Sequence, residues 1–226
     1  MSLIQLEKTQ KHTRIEFAHP FNVMSSAVLN GGCQQAQRIV NMSVDKYGAF
    51  DLSPGETIQQ YCDRCGWESI SVGMMTAASM KSLRVERKLY EGVEIGVAVT
   101  AGLSNCLRAG DKAAVQTIFS HKYLAGTINL VVFTSAMLSG SAMLETLMIA
   151  TEAKAAAMQE LKIMSPVSGK MATGTGTDAI AVASSPIGEN IYYCGKHVLF
   201  GELVAQMTIK AIKSSVNRTE QQKVVF

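Results

Sequence analysis

Aromatic side chains are scarce in this chain. They make up 6% of its 226 residues, and only one of them is tryptophan. No series of base-stacking rings accompanies the one basic patch, Lys81, Arg84, Arg87 and Lys88, and the net charge is only +3. No nucleic-acid partner is therefore expected, and the patch reads as a solvated hairpin or loop. No apolar run reaches the about 18 residues that a membrane-spanning helix needs, so no membrane partner is expected either. The most apolar region, 125–157, is interrupted by Asn129, Glu145, Glu152 and Lys154. Residues 1–12 are polar and lack the apolar centre of a signal peptide. Prolines number four, and no biased stretch marks a linker. The expectation is one soluble, cytoplasmic domain over 1–226, with 1–12 as a peripheral tail.

Familiar catalytic and nucleotide signatures are also missing. There is no G-x-S-x-G elbow, no H-E-x-x-H and no P-loop lysine. The five cysteines, Cys33, Cys62, Cys65, Cys106 and Cys194, form an odd set that reads as free thiols. Cys62-Asp63-Arg64-Cys65 is a C-x-x-C, but no second ligand pair stands at zinc-site spacing. Ser53-Pro54-Gly55-Glu56 reads as a capping box opening a helix, and Gly66 as the residue that ends it. The two thiols then fall at a helix C-terminus, where the dipole disfavours a thiolate. No metal site and no cofactor are expected.

What is present is apolar and small. Hydrophobic residues reach 47%, with 13 methionines. Such a chain has the surface to form a homodimer, although no feature specifies an interface. Strands are expected at 14–17, 21–29, 37–42, 69–77, 93–100, 127–133, 179–183 and 191–194. Helices are expected at 54–65, 139–161 and 200–216, the second with a stripe of Leu144, Met148, Thr151, Ala155 and Met158. Hairpins mixed with strand–helix units imply an α/β or α+β layered domain, a mixed sheet covered by about three to four helices. Several strands end in a hydroxyl and a small residue: Thr76-Ala77, Thr100-Ala101, Thr134-Ser135 and Ser184-Ser185. They are expected either to gather at one rim of the sheet or to cap the next element of the chain.

The segment Ala172-Thr173-Gly174-Thr175-Gly176-Thr177-Asp178 packs three hydroxyls, two glycines and a carboxylate before a strand-like run. Glycines there let the backbone approach a ligand closely, and consecutive N–H groups can hold an anion. Glu152 and Lys154 interrupt a nearly apolar helix without a charged neighbour at helical contact spacing, so each needs water, a tertiary partner or a ligand. His197 precedes the last helix, whose first turn holds Glu202. Asp111 reads as a turn residue.

Taken in order, several segments resemble the adenosylcobinamide amidohydrolases of corrinoid salvage. They are 25–32 (SSAVLNGG), 73–78 (GMMTAA), 99–105 (VTAGLSN), 109–111 (AGD), 151–157 (TEAKAAA), 172–180, 195–197 (GKH) and 201–203 (GEL). Val198, Cys106 and the C-x-x-C depart from the family pattern. The resemblance implies hydrolysis of the amide joining aminopropanol, or its phosphate, to the corrin side chain, giving adenosylcobyric acid. The cobalt-containing corrinoid is then substrate. Such a reaction needs a base, an oxyanion donor and a proton for the leaving amine. His197 or Glu152 is expected to supply the acid/base function, with Asp178 and Thr177 in the catalytic set. Backbone N–H groups around Gly174 and Gly176 are expected to hold the oxyanion or a phosphate. Asn30, Thr100, Ser104, Asn105, Thr173, Thr175 and Glu202 are expected to contact substrate. A Thr or Ser nucleophile is a second route. Two other readings use the same residues: a corrinoid carrier without hydrolysis, and a phosphate-ligand hydrolase built on the Thr/Gly turn.

Overall fold

A computed structural model describes residues 3–45, 52–118 and 127–221. In chain order the strands and helices begin β1 (Ile4–Lys8), β2 (His12–Ser25), β3 (Gly32–Ser43), α1 (Pro54–Arg64), β4 (Ser71–Thr76), β5 (Arg84–Tyr90) and β6 (Val93–Ala101). They continue β7 (Cys106–Leu107), β8 (Ile128–Thr134), β9 (Met137–Leu138), α2 (Gly140–Glu160), β10 (Gly174–Thr175), β11 (Ala179–Ser184), β12 (Asn190–Ile191) and α3 (Leu199–Gln221). One mixed sheet of eight strands runs β4-β3-β2-β11-β8-β6-β5, with β1 paired to β2. The expected layered α+β architecture is the observed one.

Alternation along the strands decides the layers. Ile128, Leu130 and Val132 of β8 face one way, toward α2 and α3, with Val97 and Val99 of β6 and Ile180 and Val182 of β11. Val131 and Phe133 face the other way, with Ala98, Ala181, Ile39 and Val72. That second set joins β8, β6 and β11 to β3 and β4, which are not their neighbours in the sheet. The sheet therefore curls, and its β2–β3–β4 part closes over the β8–β6 part around a shared interior. Helix α1 covers the outside of β3 and β4 through Ile58 and Cys62. Each fully buried Ile, Leu or Phe side chain contributes about 1.5–3 kcal/mol to holding these layers together.

Three expectations are corrected. The stretch expected as a peripheral tail is, from residue 4 on, part of the sheet: Ile4 is buried, and β1 pairs with β2 from Ile4↔Phe17 to Lys8↔Thr13. The two strands expected at 14–17 and 21–29 are one long strand, irregular in register between Glu16 and Phe21, where Pro20 has no N–H to offer. The basic patch falls on a hairpin, as expected: Arg84, Arg87 and Lys88 lie on β5, which pairs antiparallel with β6 at the sheet edge, where charges blunt further pairing. The expected α2 stripe is not its buried face. Leu144 is 54% and Met148 61% exposed, whereas Ala142, Ala150, Ala153 and Ala157 are buried. The helix is apolar almost all round, so periodicity could not choose a side, and small residues let it lie close to its neighbours.

The hydroxyl strand ends also divide. Ser184 is register partner of Thr134 at one end of the sheet. Thr100 lies opposite Asn129 at the other end. The capping box at Ser53 and Glu56 forms as expected, and Gly66 follows α1 with a φ of 70°.

Candidate active site

The end of the sheet where β8 and β11 begin is unusually polar inside. Asn41 Nδ2 donates to Thr100 Oγ1 at 2.8 Å. Asn129 Nδ2 donates to Asn41 Oδ1 at 2.7 Å and to the Met75 carbonyl at 3.0 Å. Thr127 Oγ1 reaches the Thr177 carbonyl at 2.6 Å and Asn129 Oδ1 at 3.1 Å. All four side chains are buried. Asn41 and Asn129 stand at interior positions of β3 and β8, where apolar side chains would otherwise lie. Their mutual hydrogen bonds offset the cost of burying amides.

Beside this cluster lies the 173–178 turn. Asp178 organises it. Its Oδ1 accepts from the Ile128 N–H at 3.0 Å and from Thr175 Oγ1 at 2.5 Å. Its Oδ2 accepts from the Thr175 N–H at 3.1 Å and from Lys154 Nζ of α2. The Lys154 and Asp178 side chains are only 10% and 9% exposed. Ionised groups so little hydrated persist through such pairing. Lys154 thus finds the tertiary partner that its place on an apolar helix demanded.

A second segment clamps the turn from outside. Strand β10 pairs with β7, Gly174↔Leu107 and Thr175↔Cys106. The Thr173 N–H donates to the Leu107 carbonyl, and the Gly176 N–H to the Asn105 carbonyl at 3.2 Å. Thr173 Oγ1 accepts from the Ala109 N–H at 2.9 Å. Asp111 Oδ2 fastens the same loop through Arg108 N–H and Ser165 Oγ. Hydrogen bonds from Ser165, then Ser168, hold its carboxyl below the usual range. The backbone N–H groups of Thr173, Thr175 and Gly176 are therefore engaged within the fold rather than presented to an oxyanion.

Asn105 has a different character. Its Oδ1 and Nδ2 are both buried and have no hydrogen-bond partner among the described residues. A Cβ added at Gly176 would lie 3.2 Å from Nδ2, so the carboxamide sits directly against the turn.

Thr100, Asn105, Thr173, Gly174, Thr175, Gly176, Thr177 and Asp178 are thus brought together. The remaining expected residues lie elsewhere. Glu152 is exposed and pairs with Lys196 at 2.5 Å. Two positions from Lys154, it points away from it around the helix. His197 is exposed and makes no hydrogen bond among the described residues. Glu202 is exposed and accepts from Gln206 at 2.9 Å. Ser104 is exposed, and Asn30 donates to the Ser71 carbonyl at the β2–β3 turn. Asn41, Thr127 and Asn129 were not foreseen as site residues. The signal was a lone Asn within each of two strand-like apolar runs.

The cysteines stand apart from this chemistry. Burial pushes the Cys194 thiol up to about 11 and raises that of Cys62. Neither is a thiolate near neutral pH, and Cys65 is exposed at the end of α1. Among the described residues, no group of three His, Cys, Asp or Glu is placed to hold a metal ion. No described helix is long and apolar enough to cross a membrane.

A buried carboxylate–lysine pair and an unpartnered carboxamide thus lie at one polar end of the layered α+β fold. Residues 2–223 match the family described as adenosylcobinamide amidohydrolase, and the chain belongs to that family. It is 32% identical to the adenosylcobinamide amidohydrolase of Methanosarcina mazei over 84% of this chain and 88% of that one. It is 27% identical to that of Halobacterium salinarum over 90% and 84%. Among solved structures, a beta-aminopeptidase of Burkholderia sp. overlaps 94% of this chain and 81% of its own, with 12% identity and a TM-score of 0.44.

Proposed function

We propose that this enzyme hydrolyses the amide joining aminopropanol, or its phosphate, to the corrin side chain of adenosylcobinamide. The products are adenosylcobyric acid and the free amino alcohol, a salvage step placed in the cytoplasm. The observation that carries this reading is Asn105, whose carboxamide lies against the turn that Asp178 organises. Its carboxamide offers N–H donors and a carbonyl acceptor with no partner among the described residues. A substrate amide offers the complementary acceptor and donor. Each buried group left unpaired costs about 1–3 kcal/mol, which binding of such an amide would recover. Family membership and the names of the two relatives support the same substrate.

In this reading the chemistry belongs to the 173–178 turn and the Asn41–Thr100–Asn129 cluster behind it. Asp178 is held by four donors and acts as a fixed anion that sets the turn. His197 and Glu152 stand outside it on the α2–α3 surface. The corrinoid is substrate, and no further cofactor is assigned.

The test is direct. Purified protein is incubated with adenosylcobinamide, and the corrinoid is followed by mass spectrometry. Conversion to adenosylcobyric acid with release of aminopropanol is expected. Binding without any change in mass would make the protein a carrier and overturn the assignment.

A further inference from the structure

We propose that Lys154 is the oxyanion donor of this site, its ammonium hydrogen-bonding to the carbonyl oxygen of the scissile amide. The proposal rests on the amide-hydrolysis reading above and deepens it.

Three observations lead there. First, Asp178 does not require the lysine. Ile128 N–H, Thr175 N–H and Thr175 Oγ1 already donate to its two oxygens. Burying an ammonium costs several kcal/mol, so one extra contact to a satisfied carboxylate is a poor structural reason to keep it. Second, Nζ carries three N–H groups, and among the described residues Asp178 is its one acceptor. The side chain is buried but not sealed, with 10% of its surface exposed. Third, the backbone N–H groups of Thr173, Thr175 and Gly176 are consumed within the fold. Lys154 is a cationic donor beside the turn with N–H groups to spare.

Gly174 fits the same picture. A side chain there would overlap Asp178 Oδ2 and come within 2.8 Å of Lys154 Nζ. The chain keeps that position bare where the pair meets.

The step balances without a cofactor. An oxygen nucleophile adds to the carbonyl carbon, and the carbonyl π electrons move onto oxygen. Lys154 donates a hydrogen bond to that oxygen and transfers no proton. Collapse re-forms the carbonyl and breaks the C–N bond. The amine leaves with a proton that derives from water, and the net reaction consumes one water. Preorganised donors of this kind act on charge that develops only in the transition state, so their loss falls on kcat.

The experiment compares wild type with Lys154→Met/Asp178→Asn, which removes both charges together and avoids stranding one. Turnover of adenosylcobinamide and melting temperature are measured on the full chain. The double variant is expected to unfold cooperatively, keep KM within about threefold and lose about 10²–10³-fold in kcat. A double variant within tenfold of the wild-type kcat would make the pair merely structural and overturn the proposal. If the double variant fails to fold, Lys154→Arg carries the test. It keeps the ion pair but moves the donors, so kcat should fall at least tenfold at an unchanged melting temperature. Wild-type kcat in that variant would also overturn the proposal. A wild-type protein without turnover refutes amide hydrolysis itself, and is distinguished from failure of the Lys154 role by that control.

Discussion

Gly174 leaves the space that the Asp178 carboxylate occupies: a Cβ on residue 174 would overlap Asp178 Oδ2. The relation is steric, since its backbone is not in the left-handed region that favours glycine. Gly174→Ala should therefore displace the carboxylate from Thr175 and Ile128 and loosen the turn. Overpacking of this kind costs about 1–3 kcal/mol. Urea unfolding should show that loss, and turnover should fall at least tenfold. An alanine variant with both properties of wild type would mean that the turn accommodates a methyl group without moving Asp178.

The Glu152–Lys196 pair leads to the opposite expectation. Its partners are 52% and 72% exposed, and exposed pairs contribute about 0–1 kcal/mol. His197, next to Lys196 in the chain, is also exposed. Glu152→Ala and His197→Ala should each leave turnover within about twofold of wild type and melting almost unchanged. A loss of a hundredfold in either would bring acid/base chemistry back to the α2–α3 surface.

How far the sequence foreshadows this site depends on the kind of contact. Local signals read correctly: the capping box at Ser53 and Glu56, the Gly66 stop, and the turn that Asp178 ties to Thr175. Long-range ones did not. Nothing in the spacing of Lys154 and Asp178 announces a pair 24 residues apart. Nor does a lone Asn41 announce Asn129, 88 residues away, because only the curl of the sheet brings β3 over β8. The face of α2 was misread because alanine packs as well as methionine when helices lie close. Motif order recognised the family, but it could not distinguish residues that meet at the turn from residues on the surface, such as His197.

His12 supplies a pH test independent of activity. It is buried on β2, with Nδ1 2.8 Å from the Tyr61 hydroxyl and its ring 5.2 Å from Trp67. Burial lowers its pKa below the ordinary 6.5, Glu7 opposing and Arg14 adding to the shift. As pH falls through that value, the unfolded chain takes up a proton that the folded chain refuses. Stability is therefore fully present above about pH 7 and declines as pH drops through 6.5 toward the lower folded value. Urea midpoints at pH 7.5, 6.5 and 5.5 should fall more steeply for wild type than for His12→Gln. Parallel profiles would assign the acid sensitivity to another group.

Asn105 separates stability from function most sharply. A carboxamide with both polar atoms buried and unpartnered burdens the free protein. Asn105→Leu has similar volume and removes that burden, so the variant should melt at the same temperature as wild type or higher. The same substitution removes the donor and acceptor proposed to meet the substrate amide. A loss of about 1.4 kcal/mol per hydrogen bond corresponds to tenfold each, so kcat/KM should fall by about a hundredfold. Much of that loss should appear in KM, because contacts that hold the ground state act there. A residue that merely supports the loop would behave in reverse, with lower stability and activity falling in proportion to the folded fraction. A leucine variant that is both more stable and slower would tie the unpartnered carboxamide to substrate rather than to the fold.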